Sequence, residues 1–244
     1  MNKIQLLALI LAIYGWINLI LLLVKKGLYH YLCQKALNQI HVKGLDFSTT
    51  KTGFQSRKYF KCQMSLPGIW RTVGQHIDLK GRSLLDVGAG KGFTLFEAMA
   101  EPFKKVAGVE INTDLAKVIH KNFALLGIPP ILIFEQDCLS LEQQLDEYDL
   151  FYFFNPFNRG VLSQFLEHLN ESFNRKPRAI SIVYFYPVYD TLFKKYGYSR
   201  QVVIKMHPFL GLTKLGQVHV FEKTIKSGSS VPHQSVEKDL TPGL

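Results

Sequence analysis

The chain has 244 residues, 47% of them hydrophobic, and a formal net charge of +10. That length suits one globular domain of ordinary size with residues left over for an anchor and a tail, and it argues against a second large domain. Three scattered cysteines, Cys33, Cys62 and Cys138, lack the close spacing of a metal site or a disulfide framework, so a reducing compartment and no metal are expected. The basic excess gathers after the first apolar segment without a long basic run, and reads as a solvated surface drawn to a membrane; nucleic acid is not the expected partner.

From Leu6 to Val24 the sequence LLALILAIYGWINLILLLV carries no charge. As a helix it would span roughly 28 Å, enough to cross a bilayer with every backbone group paired internally. A cleaved signal peptide would have a shorter apolar core followed by small residues, whereas here Val24 runs straight into Lys25 and Lys26. The expectation is a single-pass anchor over residues 1–26, with membrane contact through residues 4–24. Only Lys3 precedes it, while Lys25, Lys26, Lys35, Lys43, Lys51, Arg57, Lys58 and Lys61 follow, which places the body of the protein on the cytosolic side. Residues 27–65 read as a juxtamembrane helix and linker. Gly27 to His41 continues as a helix along the membrane surface, with Leu28, Tyr29, Leu32, Ala36 and Ile40 on one face. Val42 to Met64 loses periodicity and reads as a linker and entry loop.

Residues 66–225 carry the catalytic-domain pattern. Leu66 to Ile77 reads as a helix with Pro67 in its first turn. Short apolar runs then alternate with longer amphipathic stretches: Ser83 to Val87, Val106 to Glu110, Ile131 to Phe134, Leu150 to Phe154 and Ala179 to Phe185. Continuous apolar strands are buried on both faces, the mark of an α/β fold whose parallel sheet has helices on both faces. Val202 to Met206 and Gln217 to Glu222 have no helix between them and predict an antiparallel pair closing one edge. Residues 226–244 are polar with Gly and Pro, and are expected to be a disordered tail.

The segment LLDVGAGKGF puts Gly88, Ala89, Gly90 and Gly92 at the turn from the first strand into the first helix, where missing side chains let a ligand approach the backbone. Asp86, at the strand end, can meet a ligand's ammonium. The second strand ends in Glu110, a carboxylate able to accept both hydroxyl protons of a ribose. The third ends in QDCLSL, where Asp137 can accept from an adenine amino group and the amide of Cys138 can donate to the ring. Asp137 can equally cap the helix that follows. A dinucleotide fingerprint would want a third glycine where Phe93 stands, and Gly92 comes one residue early.

Asp86 to Gly92, Glu110 and Asp137 resemble the cofactor motifs of class I S-adenosylmethionine-dependent methyltransferases. The resemblance extends over Leu66 to about Lys223; LLDVGAGKGF, PFKKVAGVEIN, DLFYFFNPF and VYFYPVYDTLF look like a group of bacterial members of unassigned substrate. It implies a Rossmann-like seven-stranded sheet with its last strand antiparallel, S-adenosyl-L-methionine as cofactor, Gly88 to Gly90 under the methionine moiety, Glu110 on the ribose, and Asp137 with Cys138 at the adenine.

The fourth strand, DLFYFFNPF, places Asn155, Pro156 and Phe157 beside the expected methyl group, so these three are the catalytic candidates and Asn155 also a cofactor contact. Amino-methylating relatives carry a related Asn-Pro-Pro-aromatic turn; this chain has one proline, so the register differs. The same residues also read as a strand-ending turn with a core aromatic. Transfer from a sulfonium needs alignment more than covalent help. If a proton must leave the acceptor, His168 and His207 are visible bases, and Tyr184, Tyr186 and Tyr189 are candidate walls of an acceptor pocket. The expected function is a membrane-anchored methyltransferase with an unknown protein, lipid-linked or small-molecule acceptor. A catalytically silent cofactor-binding scaffold and a nucleic-acid methyltransferase are the alternatives.

Overall fold

The structure, a computed structural model, describes residues 21, 23–40, 42–48 and 62–225. Helix α1 (23–38) precedes α2 (Ile69–Val73), β1 (Ser83–Val87), α3 (Phe93–Ala98), β2 (Lys105–Val109), α4 (Thr113–Leu125) and β3 (Leu132–Phe134). Then follow β4 (Leu150–Phe154), α5 (Arg159–Arg175), β5 (Ile180–Phe185), α6 (Leu192–Lys195), β6 (Ser199–Lys205) and β7 (Gln217–Lys223). The strands form one seven-stranded sheet in the order β3-β2-β1-β4-β5-β7-β6. The first five run parallel, while β7 is antiparallel to both β5 and β6. The order reverses between β1 and β4, and a crevice therefore opens beyond their carboxyl ends.

The apolar runs form strands because both faces are covered. Leu85, Val87, Phe151 and Phe153 pack with Leu162, Phe165 and Leu169 of α5. Leu84, Leu150, Tyr152 and Val183 pack on the other face with Ile69, Trp70 and Val73 of α2. Asparagine side chains start the two long helices: Asn112 accepts from the amides of Asp114 and Leu115, and Asn158 from that of Val161. Each such cap contributes about 1 kcal/mol.

Three elements differ from the sequence reading. Helix α2 is shorter than Leu66 to Ile77, because Gly68 enters it in the left-handed conformation at φ 79° and the helix stops before Gly74. Strand β6 starts three residues before Val202; its early residues are exposed on an edge and interrupted by an irregularity between Arg200 and Val202, so they show no apolar alternation. The apolar face of α1, expected against lipid, is instead covered by protein. Tyr29 and Cys33 are buried, Leu28, Leu32 and Ile40 pack on the cluster holding Trp70 and Phe185, and the Tyr29 hydroxyl donates to the Met64 carbonyl at 2.6 Å.

No helix among the described residues is long and apolar enough to cross a membrane. Residues 1–20 and 22, which make up nearly all of the stretch expected to span, lie outside the described residues, as do 49–61 of the expected linker and the tail 226–244.

Candidate active site

A cavity of about 580 Å³ occupies the crevice at the carboxyl edge of the sheet. Of the residues expected to bind the cofactor or border the transfer, all but Asp137 line it: Asp86, Gly88, Ala89 and Gly90 from β1 and its turn, Glu110 just after β2, Cys138 after β3, and Asn155, Pro156 and Phe157 after β4.

The glycines act chiefly by leaving room. A Cβ on Gly88 would lie 2.7 Å from Pro156 Cβ, and one on Gly90 would lie 2.9 Å from Cys62 Sγ; both glycines have positive φ, at 85° and 58°. The amides of Gly88 and Ala89 are spent on the Val109 carbonyl, at 2.9 and 3.1 Å. The Gly90 amide donates to Glu110 Oε2 at 2.8 Å, and the Asn112 amide to Glu110 Oε1 at 2.9 Å. Glu110 thus ties the turn after β1 to the turn after β2, and each of its oxygens keeps a lone pair for the hydroxyl of a ligand.

The electrostatics of this rim suit a cation. Asp86 is 2% exposed and Glu110 6%. Burial pushes the Asp86 carboxyl well above the usual carboxylate range, and the negative charge of Glu110 raises it further. Burial also raises Glu110, against backbone hydrogen bonds from Asn112, Gly90 and Ile111 that pull it down. Two buried acids beside a cavity of this size are short of positive charge, which a ligand with ammonium and sulfonium groups supplies. The residues therefore fit S-adenosylmethionine.

Asp137 divides its role from that of its neighbours. Its Oδ1 accepts from the Leu139 amide at 3.0 Å and starts the short turn Cys138–Ser140, the capping role that competed with adenine recognition. Gln136 and Cys138 on either side line the cavity. Asn155 has a left-handed backbone at φ 39°, and its Oδ1 accepts from the Tyr184 hydroxyl at 2.9 Å. Phe157, besides lining the cavity, is 3% exposed and packs on Phe153 and Phe165. Tyr186 and Tyr189 line the cavity, with Tyr184 behind them holding Asn155. Neither His168 nor His207 lines it; His207 Nδ1 accepts from the amides of Phe209 and Leu210 in a turn between β6 and β7.

Sequence reasoning missed one wall. Phe47 and Cys62 to Ser65, read as linker, line the cavity together with Lys91 and Tyr152. Lys91 is 4% exposed, and its ammonium meets Asp46 Oδ2 at 2.6 Å. An unpaired ammonium there would cost several kcal/mol, so Asp46 is a structural requirement of the glycine turn. Partial burial raises the Asp46 carboxyl, but hydrogen bonds from Lys91 and Ser48 and the lysine's charge outweigh it and hold the group below its ordinary value. Asn122 completes the clasp, its Oδ1 accepting from the Asp46 amide at 3.0 Å and its Nδ2 donating to the Asp46 carbonyl at 2.9 Å. Ser65 lies 2.7 Å from the Tyr152 hydroxyl and 3.0 Å from that of Thr94, which ties this wall to β4 and α3.

The sheet order, the reversal between β1 and β4, and the acidic, glycine-lined rim define a class I S-adenosylmethionine-dependent methyltransferase, with S-adenosylmethionine as its cofactor. More particularly, residues 68–199 match the family described as Conserved hypothetical protein 95, and the chain belongs to that family. No curated protein matches the chain. Among solved structures, a protein of Pyrococcus horikoshii described as a candidate RNA methyltransferase shares 19% identity over 83% of this chain and 98% of its own, with a TM-score of 0.50. The magnesium protoporphyrin IX methyltransferase of Synechocystis PCC 6803, solved with bound SAM, shares 16% identity over 63% of this chain and 74% of its own, with a TM-score of 0.44. TrmN of Thermus thermophilus shares 14% identity over 70% of this chain and 51% of its own, with a TM-score of 0.47.

Proposed function

We propose that this methyltransferase works tethered to the cytosolic face of a membrane and methylates an acceptor met there, whether a protein, a lipid-linked molecule or a small molecule. The observation that carries this reading is the uncharged stretch Leu6–Val24 followed at once by Lys25 and Lys26. The docking of α1 supports it. Lys25 Nζ lies 5.4 Å from the centre of the Phe209 ring, so the point where the chain would leave the bilayer is held against the catalytic domain without a slack linker. The domain organisation that follows is an anchor over 1–26, a connecting segment over 27–65 whose described parts pack on the domain, a cofactor-binding domain over 66–225 and a tail over 226–244.

In this reading the cofactor brings an activated methyl group on a sulfonium, and the protein's task is alignment. Asp86 faces the cofactor's ammonium, Glu110 accepts from the ribose hydroxyls, and Gln136 and Cys138 flank the adenine, on either side of the turn-capping Asp137. Gly88 and Gly90 leave space for the methionine chain. Asn155, Pro156 and Phe157 border the point of transfer, with Tyr186 and Tyr189 as aromatic walls for the acceptor. A silent scaffold would keep the acids that bind the cofactor; what disfavours it is the left-handed backbone at Asn155, a costly feature at the transfer end of the cavity.

Nucleic acid is the second reading. The net charge of +10 and the description of the Pyrococcus horikoshii protein favour it, and the expectation that nucleic acid is no partner finds no support in the comparisons. The two readings separate in one experiment. The full chain in detergent is incubated with methyl-labelled donor and, separately, with washed membranes, soluble protein and total RNA. Label in the membrane fraction is expected, and removal of residues 1–24 should release the enzyme from membranes and lower that labelling at least tenfold without changing donor affinity. Label confined to RNA, with no effect of the truncation, would overturn the membrane reading.

A further inference from the structure

We infer that Tyr184 is a positioning residue that fixes Asn155 as a hydrogen-bond donor at the methyl-transfer end, so that the group recognised there carries a lone pair, as a carbonyl or neutral oxygen does, and is not an ammonium. This rests on the assignment of Asn155 to Phe157 to that end of the cavity.

The geometry begins in the sheet. Tyr184 of β5 stands beside Phe153 of β4, two residues before Asn155, and its ring is buried. Its hydroxyl oxygen lies 2.9 Å from Asn155 Oδ1 and also accepts from the Tyr189 amide at 3.4 Å. A phenol has one proton to give. With the Tyr189 amide donating to this oxygen, that proton has its acceptor only when the carboxamide oxygen of Asn155 faces Tyr184. In the flipped orientation two N–H groups would point at the phenol while its own proton had no acceptor. The amide is therefore held with its oxygen turned to the protein, and Asn155 Nδ2 makes no hydrogen bond to any described residue.

The backbone supports the same reading. Asn155 and Tyr186 are the two residues other than glycine with positive φ among the described residues, at 39° and 52°, and they stand at the ends of adjacent strands on the same cavity. Such conformations persist where neighbouring contacts enforce them. At Tyr186 the enforcing contact is its amide's bond to the Gln217 carbonyl, at 3.0 Å, and at Asn155 it is the bond from Tyr184. The shared Tyr189 amide links the amide's orientation to the loop that walls the acceptor side. The Asn155 carboxamide oxygen keeps one lone pair beyond the bond from Tyr184, but its N–H pair has no partner among the described residues and is the part of the side chain left to meet a ligand.

The test uses the full chain in detergent with three variants. Tyr184→Phe removes the hydroxyl and is expected to lower kcat about tenfold, with donor affinity within twofold of wild type. Asn155→Asp keeps the shape but replaces the N–H pair by an acceptor. It is expected to lower kcat/KM at least 100-fold on whichever extract fraction takes up label, whereas Asn155→Gln, which can still donate, recovers part of the loss. An Asn155→Asp enzyme as active as wild type, or more active, would show that the site receives an ammonium and would overturn the inference. A spectroscopic arm needs no acceptor: with ¹⁵N-asparagine labelling, the side-chain amide signal identified by its loss in Asn155→Asp should shift in Tyr184→Phe. An unchanged signal in Tyr184→Phe would show that the hydroxyl does not hold the amide, which also sinks the proposal. Absence of label from every fraction with wild type would fail the acceptor reading of the previous section and leave this arm to decide.

Discussion

Gly90→Arg is expected to abolish S-adenosylmethionine binding, raising Kd at least 100-fold in calorimetry, while the domain stays folded. Gly90 has φ 58°, and the space where its Cβ would go is bounded by Cys62 Sγ at 2.9 Å, so any side chain must either displace the Cys62 wall or enter the cavity. An arginine also brings a cation to the acids that should receive the cofactor's own positive charge. The fold should survive, because the left-handed backbone costs a non-glycine residue about 1–2 kcal/mol. That is small beside a typical domain stability of about 5–15 kcal/mol. Circular dichroism and thermal unfolding close to wild type, together with lost binding, is the expected pair of results; unchanged affinity would remove the glycine turn from the cofactor site.

Glu110→Ala should have the second largest effect. The side chain does two jobs: it holds the Gly90 and Asn112 amides, and it offers its remaining lone pairs to the ribose. Hydrogen bonds to a charged group contribute about 1.5–3 kcal/mol each. Losing two to the ligand, about 3–6 kcal/mol together, therefore predicts a Kd roughly 10²- to 10⁴-fold weaker, with the loosened glycine turn adding to it. Glu110→Gln keeps one acceptor oxygen and should lose about tenfold. Equal losses in the two variants would show that Glu110 matters only as a structural tie.

The parts of this protein legible in its sequence are those where one physical cause dominates. The central parallel strands announce themselves because both faces are apolar, as the run from Leu150 to Phe154 shows. The acids at the strand ends are legible for the same reason: Asp86 and Glu110 interrupt apolar runs at the one edge where a ligand can reach them. Asp137 is ambiguous in sequence and divided in structure, since a strand-end acid and a turn-capping acid have the same signature and this residue does cap. The described residues between Lys43 and Ser65 are opaque because those that shape the cavity act through distant partners. Asp46 matters through Lys91 and Asn122, Phe47 meets Phe93 edge-on and stacks on Phe96, and Ser65 reaches Tyr152; none of these pairings leaves a local pattern. Lys91 inside the glycine turn was the available hint, because a lysine there must be buried or compete with the ligand. The amphipathic face of α1 shows a further limit: periodicity reveals that Leu28, Tyr29 and Leu32 are covered, without telling whether lipid or protein covers them.

If the cavity between the glycine turn and the Asn155 turn holds the adenosyl ligand, a crystal structure with S-adenosylhomocysteine will show it there. Ribose oxygens are expected on Glu110, the adenine beside Gln136 and Cys138, the amino-acid end near Asp86, and the sulfur turned toward Asn155, Pro156 and Phe157. Density for the ligand on any other surface, or a cavity left empty at millimolar ligand, would contradict that placement.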